Sequence, residues 1–217
     1  SRGYLSAADV TALVDRPPTE AEYRILRDHL DTGVPLPDGP LYDALQTTPR
    51  DILGLPFDPS AADWRATVEA LFAAMMTATL DHTRALIDRG LDLAIFPQGA
   101  TSPTLTQGHP GALQAALALD LPLVPVGCSG FLQAFGAGKH LLPRRGGDVI
   151  VRFGEPYAPA PIPGHRPFHP ASERSHAEAL SAGTEDLMER INALLEPEHR
   201  WGLDRIDTDV KGVARFV

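Results

Sequence analysis

Residues 95–102 read Ile95-Phe96-Pro97-Gln98-Gly99-Ala100-Thr101-Ser102, an apolar run that meets a proline and continues in small and hydroxyl-bearing residues. The apolar run that begins at Leu93 predicts a short strand buried on both faces. Pro97 has no amide hydrogen and Gly99 permits a positive φ, so we expect the chain to turn there. Turns at the carboxyl ends of strands are typical ligand sites in α/β sheets, and this one is expected to offer backbone donors to an anion. The alternative is an ordinary strand-to-helix turn.

The segments after this turn predict further strands and helices in alternation. Apolar spacing indicates a helix at 110–119, a strand at 121–126 and a third strand at 148–153. A strand, a short helix and a second strand in this order favour parallel pairing of the two strands. We therefore predict an α/β fold with a mostly parallel sheet flanked by helices.

The remaining segments indicate how the chain is organised. Repeated prolines in residues 1–60 predict an irregular N-terminal arm with one helix at 19–30, for which Thr19 is the expected N-cap. Residues 61–200 are predicted to form the α/β domain, with helices at 61–89 and from Ser172 onward, followed by a tail at 201–217. The helix at 61–89 has apolar residues three and four apart, which favours core packing over a helix lying on a membrane.

Composition excludes several classes of protein. The 217 residues carry a formal net charge of -9, which argues against nonspecific nucleic-acid binding, since that depends on excess Lys and Arg. Cys128 is the only cysteine, so no disulfide can form within the chain and a reducing compartment is expected. No run approaches the roughly 18 to 20 apolar residues that a membrane span requires.

Four short blocks of sequence, taken in order, resemble the glycerolipid acyltransferases of the lysophosphatidic acid acyltransferase family. They span about residues 91–157 and correspond to the family's Phe-Pro-Glu-Gly-Thr-Arg-Ser block, Gly-Ala helix start, Ile-Val-Pro-Val strand and Gly-Glu-Pro turn. In this chain the blocks are Ile95-Phe96-Pro97-Gln98-Gly99-Ala100-Thr101-Ser102, Gly108-His109-Pro110-Gly111-Ala112, Pro122-Leu123-Val124-Pro125-Val126 and Val151-Arg152-Phe153-Gly154-Glu155-Pro156.

The resemblance implies an activity, partners and a location. It implies an acyltransferase of the 1-acylglycerol-3-phosphate O-acyltransferase type, acting in phospholipid biosynthesis on a lysophospholipid or related glycerol acceptor. Acyl-CoA or acyl carrier protein would be the co-substrate, with no further cofactor and no metal. A protein of this family is expected in the cytoplasm, peripheral at the inner face of the membrane. Its oligomeric state and acyl-chain length are left open.

By the same resemblance, Gln98, Gly99, Thr101 and Ser102 line the acceptor site. His109, just before a predicted helix start, is expected to donate to a bound phosphate, or else to be a structural histidine that caps or packs locally. Gln98 stands where the family has glutamate and so brings no charge.

The family's phosphate-binding arginine is also replaced, by Thr101. The basic cluster at 139–145 has two interpretations. It supplies the positive charge that the missing arginine would bring, or it is an ordinary solvated loop. Its members are Lys139, His140, Arg144 and Arg145.

The catalytic residues are not assigned. The family places a His, four residues, then Asp before the Phe-Pro block, and neither His29 nor His82 begins such a pattern. His199 with Asp204 is the one match and lies on the wrong side, so we treat it as chance.

Three hypotheses follow from the missing pair. The favoured one is that the chain is a portion of a longer enzyme whose signature lies ahead of Ser1. The second is a catalytically silent lipid-binding relative, and the third is an unrelated small-ligand α/β enzyme with a phosphate-binding turn.

Overall fold

The computed structural model describes residues 17, 19–32, 35–52, 55–99, 102–131, 134 and 148–201. The chain divides into two compact units. The first is drawn from Ser1–Ala85 and Phe168–Ser172, and the second from Leu86–Pro167 and Glu173–Val217. Each unit is described by itself below.

Among its described residues, the first unit has three helices and a small hairpin. The helices are α1 (Glu20–Thr32), α2 (Pro40–Thr47) and α3 (Trp64–Ile87), the last of which runs past the boundary at residue 85. The strands β1 (Arg50–Ile52) and β2 (Leu55–Phe57) pair antiparallel.

Side-chain caps explain where α1 and α3 begin. Thr19 Oγ1 accepts from the Glu22 amide at 3.2 Å while the Glu22 carboxylate accepts from the Thr19 amide at 2.8 Å, which is a capping box. Asp63 Oδ1 accepts from the amide of Ala66 at 3.0 Å at the start of α3. The helix ends before Gly90, whose φ is +84°. Both predicted helices and the Thr19 cap are confirmed.

The core of the first unit forms where α3 begins. Its buried residues are Leu26, Leu36, Leu41, Leu45, Phe57, Trp64 and Val68. The Trp64 ring meets the Phe57 ring edge-on, with their centroids 5.2 Å apart. Burial along α3 is confined to Trp64, Val68 and Phe72, and Met75 is 40% and Leu86 38% exposed. The expectation that the whole apolar face of this helix packs into a core is therefore wrong for its second half.

The part of the second unit that the structure describes has two main helices and one pair of strands. They are α4 (Gly111–Leu119), β3 (Val126–Ser129), β4 (Ile150–Phe153) and α6 (Ala177–Leu194), followed by a 3₁₀ turn at Pro197–His199. A short helix, α5 (Pro170–Ser175), contains the boundary at residue 172. The core comprises Leu105, Ala112, Leu187, Met188, Ile191 and Leu195.

Helices α4 and α6 approach each other closely in the second unit. A Cβ added at Gly183 of α6 would lie 2.7 Å from the Leu113 side chain of α4. Glycine at this position therefore permits the close approach of the two helices.

The sheet differs from the predicted one. Strands β3 and β4 pair antiparallel, with Val126 opposite Phe153 and Ser129 opposite Ile150. The pairing continues beyond the strands, because Leu123 and Tyr157 exchange two backbone hydrogen bonds. Throughout the described ranges, the paired strands are antiparallel and no large parallel sheet forms. The predicted α/β fold with a mostly parallel sheet is therefore wrong.

Proline chemistry and pairing partners explain the difference. Pro122 and Pro125 lack amide hydrogens, so the ladder begins at Val126 instead of filling the predicted strand at 121–126. Residues 93–96, predicted to form a buried strand, form no strand, and Phe96 is 81% exposed. An apolar run identifies an extended segment, but it does not say which segment pairs with it or in which direction.

Candidate functional site

The loop from Pro97 to His109 is closed at its base by two backbone hydrogen bonds. The Gly99 amide donates to the Phe96 carbonyl at 3.0 Å, and the His109 amide donates to the Pro97 carbonyl at 2.8 Å. Gly99 has a φ of +65°, the left-handed conformation that favours glycine. The amides of Gly99 and His109, which close the loop, therefore point at carbonyls of the chain itself.

The Gln98 side chain organises the interior of this loop. Its Nε2 donates to Ser102 Oγ at 3.0 Å and to Thr106 Oγ1 at 2.8 Å. The Ser102 hydroxyl in turn donates to the Thr104 carbonyl. We call Gln98, Ser102 and Thr106 the Gln98 cluster; all three residues are partly buried.

The hydroxyl of Ser102 fixes which way the Gln98 amide points. A serine hydroxyl has one hydrogen, and here that hydrogen lies on the Thr104 carbonyl. Ser102 Oγ can then only accept from Gln98, so the group that faces it must be the amide nitrogen. Both hydrogens of that nitrogen are used, and Oε1 of Gln98 has no hydrogen-bond partner among the described residues. The cluster therefore presents an acceptor oxygen.

His199 ties this loop to the end of β3. Its Nε2 lies 3.2 Å from the Gly130 amide, and its Nδ1 lies 2.8 Å from the Pro103 carbonyl. An amide can only donate and a carbonyl can only accept, so Nδ1 carries the hydrogen and Nε2 is bare. The His199 carbonyl also accepts from the Leu105 amide at 2.9 Å. Because both ring nitrogens are engaged with backbone, His199 is a structural clamp.

The segment before His199 is anchored to both strands. Ser129 Oγ accepts from the Glu196 amide at 3.0 Å, and the Arg152 guanidinium donates to the Leu194 carbonyl at 3.0 Å and pairs with Glu196. These contacts hold the His199 clamp against β3 and β4 and so help to hold the loop that carries the Gln98 cluster.

The loop itself carries no Lys or Arg, and Arg200, directly after His199, donates from Nε to the Leu195 carbonyl at 3.0 Å. The sequence has no Lys or Arg from residue 90 to residue 138. Arg152 is paired with Glu196, and Arg190 pairs with Asp186 at 2.9 Å and lies 4.0 Å from the Tyr157 ring centroid. The hydrogen bond that Arg190 donates to Asp186 raises the pKa of Arg190, and burial raises the pKa of the Tyr157 hydroxyl. The basic cluster at 139–145 lies outside the described residues.

The structure brings some of the predicted site residues together. Gln98 and Ser102 are hydrogen-bonded, and Gly99 forms the turn beside them. His109 donates its backbone amide at the base of the loop, and the residue is exposed. Thr101 lies outside the described residues.

Two members of the arrangement were missed by sequence reasoning. Thr106 lies eight residues after Gln98 in the same hydroxyl-rich stretch, which was a usable signal. His199 lies 96 residues from Pro103, and no local pattern reports that contact. Asp204, its partner in the chance match, lies outside the described residues.

Searches of this part of the chain for other functional features give negative findings. The described residues contain no group of three or more His, Cys, Asp and Glu side chains that could hold a metal ion. Among the described helices, none is long and apolar enough to cross a membrane. In comparisons with known proteins, no family model, no curated protein and no solved structure matches this chain.

Proposed function

We propose that this protein takes part in the transfer of a fatty acyl group from acyl-CoA or acyl carrier protein to a lysophospholipid or related glycerol acceptor. The observation that carries the proposal is the Gln98 cluster. Its first two members belong to the sequence block that most resembles the glycerolipid acyltransferases, and they form one ordered polar group with Thr106. Such a group suits the positioning of an acceptor hydroxyl.

The chemistry requires more than positioning. The acceptor oxygen attacks the thioester carbonyl, a carbon–oxygen bond forms and the carbon–sulfur bond breaks. The hydroxyl proton passes to a base, and the departing thiolate takes up a proton. A neutral hydroxyl is a weak nucleophile, so this base is essential. No described residue is assigned as this base, and the proposed role of the Gln98 cluster is to aim the acceptor.

Contact with a lipid surface is part of the proposal. Phe96, which directly precedes the loop, is 81% exposed, and Phe153 of β4 is 73% exposed. Large exposed apolar side chains of this kind favour interaction surfaces. They support the proposal of a peripheral protein that takes its acceptor from a membrane surface.

A catalytically silent lipid-binding relative is the second candidate. The observation that favours it is the state of His199, whose two ring nitrogens are both committed to backbone groups. The only histidine in a family-like spacing is therefore not available as a base.

The test is acyl transfer by the full-length protein. Labelled palmitoyl-CoA is incubated with vesicles that contain a lysophospholipid or a monoacylglycerol, and the extracted lipids are separated. The proposal expects a labelled diacyl product that is absent from heat-denatured protein. Vesicle binding without product would favour the silent relative, and neither binding nor product would favour the unrelated small-ligand enzyme.

A further inference from the structure

The segment that follows Tyr157 in the second unit is rich in proline and outside regular secondary structure. Residues 158–167, which we call the strap, include four prolines, and a proline has no amide hydrogen to donate. The His165 amide donates to the Ile162 carbonyl at 3.1 Å, which closes a turn inside the strap. No residue of the strap belongs to a helix or a strand. Its position therefore depends largely on side-chain contacts, which is typical of a segment that opens locally.

Two histidine rings meet where the strap reaches the helices. The His165 ring of the strap and the His176 ring, at the N-terminal end of α6, lie edge to face with their centroids 5.6 Å apart. A Cβ added at Gly164 would lie 3.7 Å from His176 Nε2, so the same ring also lies beside the strap backbone. His176 Nδ1 lies 3.0 Å from Ser175 Oγ. The two rings therefore make a direct contact between the strap and α6.

Protonation of His165 is unfavourable in this arrangement. Its Nε2 atom is buried and has no hydrogen-bond partner among the described residues. A charged imidazole carries a hydrogen on both nitrogens, so the hydrogen on Nε2 would be buried without an acceptor. A second charge on His176 would add repulsion across the ring contact. The contact therefore suits a neutral His165 and is weakened when the ring takes up a proton.

The charged groups that act on His165 are known for the described part of the chain. Burial, followed by His176, lowers the pKa of His165, although the carboxylate of Glu173 on α5 acts in the opposite direction. Glu173 also accepts a hydrogen bond at 2.7 Å from Nε2 of Gln114, a buried residue of α4. An open strap would restore the ordinary pKa of about 6.5. The stability of the closed strap is therefore complete above that value and is lost as the pH falls through the lower pKa of the closed state.

We propose that His165 and His176 form a pH-sensitive latch, which holds the strap on α6 near neutral pH and releases it in mildly acidic solution. Protonation places an unpaired hydrogen and a pair of like charges in the same contact, and release returns both rings to water. The opening is local, because Tyr157, directly before the strap, keeps its two backbone hydrogen bonds with Leu123. The latch is separate from the Gln98 cluster and does not depend on the proposed acyl transfer.

The latch is tested by nuclear magnetic resonance of the full-length protein, labelled with ¹³C and ¹⁵N. Nuclear Overhauser effects between the His165 and His176 rings report the closed latch, and those between β3 and β4 report an intact sheet. Between about pH 7.5 and about pH 5, we expect the effect between the rings to fall severalfold while those of the sheet persist. The His165 ring should titrate with a midpoint below the ordinary value of about 6.5.

A matched pair of variants assigns the effect to the proton on His165. His165→Phe keeps an aromatic ring against His176 but cannot take up a proton, so the contact between the rings should persist at about pH 5. The control is His82→Phe on α3, a change at an exposed histidine, which should lose the contact between His165 and His176 as the unchanged protein does. The titration of His165 in the unchanged protein decides the matter if His165→Phe fails to fold.

Several results would overturn the latch. One is a contact between the rings that is equally strong at both pH values in the unchanged protein. Another is a His165 midpoint at or above about 6.5, because the closed strap would then not oppose the proton. Loss of the ring contact in His165→Phe at about pH 5, or parallel loss of the contacts between β3 and β4, would show that acid unfolds the unit by another route.

Discussion

At the residue scale, position 98 shows how one atom changes the character of a site. A glutamate there has no hydrogens to donate to Ser102 and Thr106, and Ser102 would have to release the Thr104 carbonyl to satisfy it. The grouping of Gln98 with Ser102 was predictable, because the residues are four apart and flank a glycine turn. The His199 clamp was not, because its contacts join segments far apart in sequence.

Gly130 offers a residue-scale prediction about stability. Its φ is +81°, and an added Cβ would lie 1.9 Å from the Asp148 carbonyl oxygen. Gly130→Ala should therefore lower the free energy of unfolding of the second unit by about 2–3 kcal/mol, since strain and a backbone clash combine. Urea unfolding and the hydrogen exchange of the β3 amides measure the loss.

The matched control for this substitution is Gly111→Ala. Gly111 is the first residue of α4, and an added Cβ there meets nothing within 4 Å. The control should change stability by no more than about 0.5 kcal/mol. Equal stability of the two variants would contradict the described path of the chain at Gly130.

At the element scale, local chemistry fixes the helices and leaves the sheet undetermined. The Thr19 capping box and Asp63 set helix starts from side chains within three residues of the amides they cap. The strands β3 and β4 were found near the expected places, yet their antiparallel pairing depends on partners more than 20 residues apart. Prolines at 122 and 125 were visible in the sequence and, given their missing amides, should have shifted the predicted strand to Val126.

Asp63 supports an element-scale prediction about α3. Its carboxylate caps the helix and accepts from the Tyr42 hydroxyl at 2.6 Å, so Asp63→Ala should lower the free energy of unfolding of the first unit by about 1 kcal/mol. The protein has two tryptophans, and Trp64 is buried in this unit. In a Trp201→Phe background, urea unfolding monitored by Trp64 fluorescence measures this loss of stability. Asp81→Ala, an exposed mid-helix change, should shift stability by less than about 0.5 kcal/mol.

The same carboxylate predicts a pH dependence. The hydrogen bond from Tyr42, followed by that from the Ala66 amide, lowers the pKa of Asp63. Its stabilisation is therefore present above the unfolded value of about 3.9 and is lost as the pH falls through the lower folded value. Asp63→Asn keeps a capping oxygen but cannot titrate, so it should flatten the fall in Trp64-monitored stability below about pH 4. An unchanged acid profile would show that Asp63 contributes nothing to it.

At the scale of the whole molecule, each unit has its own core, and the second unit also exposes much apolar surface. The percentage of apolar residues in a sequence does not say which of them remain outside the core. The large exposed apolar residues of the second unit are Leu86, Leu91, Leu93, Ile95, Phe96, Val124, Phe131, Val149, Ile150, Val151 and Phe153. Several of these lie in segments that the sequence analysis placed in a buried sheet.

Two of these exposed side chains, Phe96 and Phe153, are proposed to contact lipid. Because each phenylalanine contributes a large apolar area, Phe96→Ser and Phe153→Ser together should reduce flotation with phosphatidylcholine vesicles severalfold. Leu55→Ser, a change at a 39% exposed residue of the first unit, serves as the control and should float like the unchanged protein. Unchanged flotation of the double variant would show that Phe96 and Phe153 do not contribute to lipid binding.

The central claim is acyl transfer to a glycerol acceptor positioned by Gln98. The most direct measurement is the rate at which the full-length protein and its Gln98→Glu variant convert labelled palmitoyl-CoA and a lysophospholipid or monoacylglycerol to a labelled diacyl product. We expect product from the unchanged protein and about tenfold less from the variant at subsaturating acceptor, because the glutamate loses the hydrogen bonds to Ser102 and Thr106. Absence of product from the unchanged protein, or equal rates from the two, would contradict it.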